Sequence, residues 1–409
     1  MSAAHLSPAL LVFAISWALI AFRRLRWLPI GRPAGALAGA VAMVAVGAET
    51  PEQAFAAVDG GTIALLLGMM LVTAYLMRAG LFGWCADRIL AAAKTPQRLL
   101  IALAWSAAAL SAVLVNDTVC LFMTPLVLAV VRRTGIPAGP FLVALATSAN
   151  LGSAATLVGN PQNMLIGSMS GIRFAAFTGA VLPAVLVGMV VHTAVLVASY
   201  GGRLRGLPAF DPAPTAVLAP DAPLVGAVFL AVVAAFGAGF HLGFAALGGA
   251  VALMILDRRE PDEAFAAVDW SVLLFFAGLF VIVDGLARTG LPTAAWAAVS
   301  PALGLSGSGL AATTAALALG SNLVSNVPLV LLVGDHLAAL GDPALSWPLL
   351  AFVTTVAGNL TLVGSVANVI VAEQARDDYD LGFFEYLRVG APSTVAVLAV
   401  GVPILAWWV

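Results

Sequence analysis

Polar residues interrupt four otherwise apolar stretches of this chain, and chemistry is possible at these positions. Two interruptions are short, Val115-Asn116-Asp117-Thr118 and Ser325-Asn326-Val327-Pro328, and two are long, 149–163 and 357–368. Their side chains supply amide, hydroxyl and carboxylate oxygens, which form hydrogen bonds and coordinate hard cations. The candidate substrate or ion ligands are Asn116, Asp117, Thr118, Ser153, Thr156, Asn160, Asn163, Ser325, Asn326, Asn359, Thr361, Ser365 and Asn368.

The composition predicts that these interruptions lie in a membrane protein. Of the 409 residues, 62% are hydrophobic and 9% are charged, whereas a soluble domain carries about 25% charged residues. The formal net charge is −2, so nucleic acid is not an expected partner. These numbers exclude a soluble enzyme and predict that the main partner is a lipid bilayer. Non-helical backbone inside a bilayer persists only where protein buries it or where it lines a cavity.

Two pairs of similar segments indicate an internal duplication. The segment 51–59 recurs at 261–269, and Thr156-Leu-Val-Gly-Asn160 is echoed by Thr361-Leu-Val-Gly-Ser365. A repeat of this length means that each half is one structural unit. The predicted organisation is a first repeat over 1–200, a cytoplasmic linker over 201–222 and a second repeat over 223–409.

The placement of arginine and lysine predicts that the two repeats are inverted. Short cytoplasmic loops carry most Lys and Arg residues, and Arg98 and Arg132 flank the uncharged segment 99–131. This segment should therefore enter and leave on the cytoplasmic side as a re-entrant hairpin. Its counterpart, 308–340, has no flanking Lys or Arg and should enter from the outside.

The predicted fold is an all-α integral membrane protein of the inverted-repeat transporter type. Each repeat has three spanning helices, a re-entrant hairpin, a broken helix and a last spanning helix. The broken helices are expected over 138–170 and 347–374. This arrangement gives about ten spanning helices in a multi-pass protein with both termini outside. Inverted repeats with interrupted helices are typical of secondary transporters, which bind substrate and coupling ion where the breaks meet.

Other mechanisms leave weaker signals. The only lysine, Lys94, follows Ala93, so the chain has no phosphate-binding loop and is not itself a P-loop ATPase. Transport is then secondary, passive or driven by a separate subunit. The sequence Gly304-Leu-Ser306-Gly307 resembles the serine motif of intramembrane proteases, but a protease would leave the duplication unexplained. A channel would not require two matched helix breaks. We therefore expect a transporter and no enzyme.

Ionisable residues within apolar stretches have two interpretations. Asp117 and Asp284 are costly in a bilayer, so both are candidates for coupling. Asp117 could instead cap a hairpin limb, and Asp284 could pair with Arg288 one turn later. The asparagines could likewise only cap broken helices. The repeated Asp59 and Asp269 are expected helix caps, and the four histidines form no metal-binding pattern.

The four polar motifs, in this order, resemble those of the ion transporter superfamily. This group includes arsenite/antimonite permeases, NhaD-type sodium/proton antiporters and the citrate transporter-like divalent anion/sodium symporters. The resemblance spans nearly the whole chain. It implies an elevator-like scaffold and transport domain, a homodimer in a bacterial-type inner membrane, no cofactor and H⁺ or Na⁺ as the coupling ion. The ligands that it implies are Asn116, Ser153, Ser325, Asn326 and Thr361, with Na⁺ near Asn116 and Asn326.

The hairpin tips depart from the symporter pattern. Dicarboxylate symporters have Ser-Asn-Thr at both tips, whereas this chain has Val115-Asn116-Asp117 and Ser325-Asn326-Val327. Asp117 would repel a multiply charged anion. The expected substrate is therefore a small inorganic or organic anion or oxyacid, such as arsenite or antimonite, coupled to H⁺ or Na⁺. The alternatives are an NhaD-type Na⁺/H⁺ antiporter and a dicarboxylate/sodium symporter.

Overall fold

The computed structural model describes residues 8–21, 31–207, 217–258 and 260–409, and this part of the chain is helical with no β-strand. The all-α fold class is thereby confirmed. The arginines at positions 23, 24 and 26, which contributed to the predicted orientation, lie outside the described residues, as does the middle of the predicted linker.

The described residues of the first half form ten α-helices. They are α1 (Pro8–Ala21), α2 (Arg32–Ala45), α3 (Pro51–Ala57), α4 (Gly60–Arg78), α5 (Leu81–Ala93), α6 (Pro96–Val113), α7 (Asn116–Thr134), α8 (Ala138–Ser153), α9 (Pro161–Ser170) and α10 (Phe174–Leu204).

The second half repeats this order. Its helices are α11 (Ala222–Gly237), α12 (Leu242–Asp257), α13 (Asp262–Ala266), α14 (Trp270–Ala287), α15 (Leu291–Val299), α16 (Gly307–Val324), α17 (Asn326–Ala338), α18 (Pro343–Ala357), α19 (Val366–Ala375) and α20 (Phe383–Trp408). A short 3₁₀ turn, Ser300–Ala302, follows α15.

Gly68 and Gly278 are at equivalent positions in the two repeats, and each allows its helix to pack closely on a helix of the other repeat. Helix α4 packs along α12, and α14 packs along α2. A Cβ atom on Gly68 of α4 would lie 2.6 Å from the backbone nitrogen of Leu247, and one on Gly278 of α14 would lie 2.8 Å from the backbone of Ala36. Because no side chain fits at either glycine, the helix backbones touch. These contacts build one layer of the molecule, composed of α2, α4, α12 and α14.

The broken helices and helix pairs form a second layer. Helix α6 packs on α8 and α16 packs on α18, while α10 lies along α20. In the helix pairs α6–α7 and α16–α17, the second helix contacts the other repeat: α7 packs against α19, and α17 packs against α9. The two repeats are therefore interlocked around the breaks.

The helix bounds can be compared with the predicted segments. The predicted hairpin 99–131 corresponds to α6 and α7, and 308–340 corresponds to α16 and α17. The predicted broken helices correspond to α8 with α9 and to α18 with α19. Helix α10 continues to Leu204, and the Gln97 side chain donates a hydrogen bond to the Gly201 carbonyl at 3.1 Å, so the first residues of the predicted linker are helical. The domain bounds stay predictions.

Five of the described helices are long and apolar enough to cross a bilayer. They are Gly60–Arg78, Pro96–Val113, Phe174–Leu204, Trp270–Ala287 and Phe383–Trp408. Seven further apolar helices are shorter. One of the five is α6, which the sequence interpretation assigns to a hairpin. Re-entry of the two helix pairs and the count of ten crossings stay predictions.

The topology can be tested with single cysteines and a membrane-impermeant thiol reagent. Cysteines replacing the exposed residues Arg98 and Arg133, at the open end of the α6–α7 pair, should be labelled from the cytoplasmic side. Cysteines replacing Ser308 and Ala344, at the open end of the α16–α17 pair, should be labelled from outside. Labelling of Arg98→Cys and Arg133→Cys from opposite sides would make α6–α7 a spanning element and contradict the inverted arrangement.

Candidate functional site

Four helix interruptions meet between the interlocked repeats. Helix α8 ends before the turn that leads to α9, and α18 ends before the turn that leads to α19. The α6–α7 and α16–α17 pairs have their tips at Val115 and Ser325. Each interruption leaves carbonyls at one helix end and amides at the next helix start. Partial negative and positive charges are thus brought close together without any ionised side chain.

Asn150, near the end of α8, is the centre of the polar network. Its Oδ1 accepts hydrogen bonds from the Asn116 amide at 2.8 Å and from the Ser365 hydroxyl at 2.9 Å. Its amide donates to Oδ1 of Asn359 and to Oδ1 of Asn368, both at 2.9 Å. One buried side chain therefore links the α7 tip to the second broken helix.

Thr355 occupies the equivalent position in the second repeat. Its hydroxyl oxygen accepts from the Asn160 amide at 3.3 Å and from the Gln162 amide at 3.1 Å. The Asn160 amide also donates to the Ser153 hydroxyl at 2.9 Å, and that hydroxyl donates to the Asn150 carbonyl at 2.7 Å. The two halves of the network are consequently continuous.

Asn163 and Asn368 hold the two breaks in the same way. The Asn163 amide donates to the carbonyls of Thr156 at 2.9 Å and Ser153 at 3.3 Å, and the Asn368 amide donates to those of Thr361 at 3.1 Å and Gly358 at 2.8 Å. The two asparagines differ at their side-chain oxygens. Oδ1 of Asn368 accepts from Asn150, whereas Oδ1 of Asn163 is buried without a partner among the described residues.

The two helix-pair tips are fixed to the breaks differently. The Asn116 backbone N–H donates to the Gly159 carbonyl at 2.8 Å, which joins the first tip to the first break. At the second tip, Oδ1 of Asn326 accepts from the Ser321 hydroxyl of the same helix pair at 2.5 Å. The Asn322 amide joins the pair to the second break by donating to the Ala357 carbonyl at 2.9 Å. Ser325 is exposed and has φ +71° and ψ 159°, a backbone region that favours glycine. The second tip is therefore strained where the first is not.

Other predicted ligands lie at the edge of the network. The hydroxyl of Thr156 donates to the Ala112 carbonyl at 2.5 Å, and that of Thr361 donates to Oδ1 of Asn322 at 3.4 Å. Asp117 and Thr118 are half-buried in the first turn of α7. Neither side chain forms a hydrogen bond or salt bridge within the described part of the chain.

The other ionisable candidates lie away from this network. Asp284 pairs with Arg288 at 2.5 Å. Asp59 and Asp269 cap α4 and α14, as expected from the sequence. His192 is fully buried behind α8 and contacts hydroxyls of Ser148 at 3.1 Å and Ser393 at 2.6 Å. The described residues contain no cluster of side chains that could hold a metal ion.

The sequence interpretation did not select Asn150, Thr355 or Gln162 as ligands. A usable signal existed, because the spacing that matches Thr156 to Thr361 also matches Asn150 to Thr355. Both are polar residues at the same register before a break. Their importance depends on contacts between residues more than 190 positions apart.

Apolar helices long enough to cross a membrane, together with a buried polar network at helix breaks, are typical of membrane transporters. More particularly, the chain belongs to the citrate transporter (CitMHS) family, whose model matches residues 17–357. The predicted class of protein, a transporter and no enzyme, is thereby confirmed.

Individual proteins are similar to this chain over nearly its whole length. The silicon efflux transporter LSI3 of Oryza sativa subsp. japonica is 34% identical over 96% of both chains. The arsB protein of Dictyostelium discoideum is 28% identical over 97% of this chain and 91% of its own. The structure of the Alcanivorax borkumensis YdaH transporter matches with a TM-score of 0.56 and 16% identity, covering 98% of this chain and 96% of that one.

The role of Asn150 can be tested by truncation. Asn150→Ala should lower the free energy of unfolding by about 3 kcal/mol, because it leaves several buried polar groups without partners. The matched change Thr355→Val removes only two longer hydrogen bonds and should lower it by about 1 kcal/mol. Denaturant titration of both purified variants in detergent micelles measures the difference. Equal losses would show that Asn150 is not the centre of the network.

Proposed function

We propose that this protein is a secondary active transporter that exports a small hydroxylated oxyacid, such as arsenious or silicic acid, across a bacterial-type inner membrane. The coupling ion is H⁺ or Na⁺, and Asp117 is the residue that carries it. The substrate binds where the two breaks and the two tips meet. Its ligands come from the predicted set, extended by Asn150, Gln162 and Thr355.

The observation that carries this proposal is the neutral chemistry of the network. None of its hydrogen bonds involves a Lys or Arg side chain. A di- or trianion buried here would lack a fixed positive partner, which makes its desolvation costly. An undissociated oxyacid has hydroxyls that both donate and accept hydrogen bonds, as do the amides and hydroxyls of the network. The name of the silicon efflux transporter LSI3 points to the same substrate class.

The two layers suggest how the site changes sides. Helices α2, α4, α12 and α14 would form the scaffold, through which two copies pair. The helix pairs and broken helices, with α10 and α20, would move as the transport domain. Helix α4 contacts α9, and α14 contacts α17, so these contacts would slide in an elevator-like movement. The inverted repeat supports this proposal because its two tips would reach the site from opposite faces.

Asp117 favours a second candidate function, Na⁺/H⁺ exchange without an oxyacid. Its side chain is half-buried and forms no salt bridge among the described residues. The charges of Arg32 and Asp269 act on it in opposite directions, so its carboxylate is not neutralised by a paired cation. In the equivalent position the second repeat has Val327, which cannot bind one. One acid in the two tips is consistent with one coupling cation per cycle.

Flux measurements with the purified chain in liposomes test the substrate class. We expect uptake of arsenite and of germanic acid, a silicic acid analogue, when a proton or sodium gradient is imposed. Citrate should neither move nor compete. Citrate transport would contradict the oxyacid proposal, and sodium flux without any oxyacid flux would establish the second candidate function.

Asp117→Asn tests the coupling role. The change preserves size and hydrogen bonding but removes the charge, so downhill oxyacid flux should persist while accumulation against a gradient falls to background. Asp335→Asn, which removes the charge of an exposed acid in the last turn of α17, is the matched control and should retain accumulation. If Asp117→Asn still accumulates substrate with unchanged pH and sodium dependence, Asp117 does not couple transport to a cation.

A further inference from the structure

An acidic pair lies at the ends of α2 and α14, separate from the polar network. Glu49 follows α2 in the loop before α3, and only 4% of its surface is exposed. Asp284 lies in the last turn of α14 and pairs with Arg288 at 2.5 Å. Neither acid has a place in the substrate site proposed above.

Glu49 is buried without a hydrogen-bond donor. Both of its carboxylate oxygens are inaccessible, and neither has a hydrogen-bond partner among the described residues. A Cβ atom on Gly285 would lie 2.8 Å from Oε1 of Glu49, so the carboxylate is packed against the α14 backbone. An ionised carboxylate in this position would lack the partner that compensates its burial.

The charges at this end of the helix pair do not balance. Two carboxylates face one guanidinium, and Arg288 is engaged by Asp284. The related pair, α4 and α12, also has two acids and one arginine at its end, but there Arg78 lies 2.6 Å from Asp257 and 3.8 Å from Asp221, so both acids contact the arginine directly. Two ionised carboxylates cannot hydrogen-bond to each other, but they can when one of them holds a proton.

We propose that Glu49 and Asp284 form a proton-binding site, in which one proton is held between the two carboxyl groups at neutral pH. The site joins the loop after α2 to α14. It lies at the opposite end of α2 from Arg32, so it responds to pH on one side of the membrane, the outer side in the predicted topology. It is independent of the substrate proposed above.

Other charged groups near these elements are few. Helix α3 carries Glu52, and α17 carries Asp335 and His336, while α4 carries Arg78 and is capped by Asp59. Helices α1 and α15, which also pack on α14, have no charged residue in their described lengths. Only Asp284 and Arg288 act strongly on Glu49.

The electrostatics support protonation of Glu49. Burial and the neighbouring Asp284 raise the pKa of Glu49 from 4.5 to about 7, and Arg288 opposes them only in part. Because the folded protein binds this proton more tightly than the unfolded chain, Glu49 makes folding less favourable as the pH rises from 4.5 through about 7. Below pH 4.5, where Glu49 is protonated in both the folded and the unfolded protein, it does not lower the folding stability in this way.

Infrared difference spectroscopy of the purified full chain, titrated from pH 5 to pH 9, tests the proposal. We expect a protonated-carboxyl band that disappears with a midpoint near pH 7 and that is missing in Glu49→Gln. Asp284→Asn should lower the midpoint, since Arg288 then faces Glu49 alone, and Arg288→Gln should raise it. The matched control, Glu52→Gln, changes an exposed glutamate three residues away and should leave the band unchanged.

Thermal unfolding gives a second measurement. Glu49→Gln should unfold at a higher temperature than the parent at pH 8 and show no such advantage at pH 5. The proposal is wrong if Glu49→Gln keeps the titrating band, or if Asp284→Asn and Arg288→Gln move its midpoint in the same direction. Replacing sodium by choline should leave the midpoint unchanged, and a sodium-dependent midpoint would instead make this a sodium site.

Discussion

A helix that breaks inside an apolar environment exposes carbonyl and amide groups that lipid cannot hydrogen-bond, and each such group costs free energy until protein satisfies it. In this chain the two breaks are satisfied across the repeat boundary. The Asn359 amide donates to the Thr147 carbonyl of α8, and Asn150 of α8 donates to Asn359 and Asn368. The broken helices therefore stabilise each other. The close packing of α4 on α12 and of α14 on α2 holds the surrounding layer together.

The hydrogen bonds between the two broken helices make the centre of the molecule polar and uncharged. The duplication would give two equal half-sites, but substitutions have made them different. Asn150 of the first repeat corresponds to Thr355 of the second, and Asp117 of the first tip corresponds to Val327 of the second. The amides can donate and accept, and the one acid is confined to one tip. This inequality is the physical basis for proposing a neutral oxyacid with a single coupling cation.

Local sequence signals predicted the helices and breaks well, because caps and breakers act over a few residues. The broken helix predicted over 138–170 corresponds to α8 and α9, and Asn160 caps α9 immediately before Pro161. The Asp284–Arg288 pair was also predictable from its spacing of four residues. The central role of Asn150 was not, because its partners are 34 to 218 positions away. Glu49 was missed for a similar reason, since an acid in a loop is usually exposed and its burial comes from α14.

The most direct test of a site between the interlocked breaks is to locate a bound oxyacid in a structure of the full chain soaked with antimonite. The anomalous signal of antimony identifies the ligand without reference to protein density. We expect one antimony atom within hydrogen-bonding reach of the Asn116 and Asn326 tips and of the amides around Asn150 and Asn163. An antimony atom bound elsewhere, with this polar network unchanged and unliganded, would show that the helix breaks do not form the substrate site.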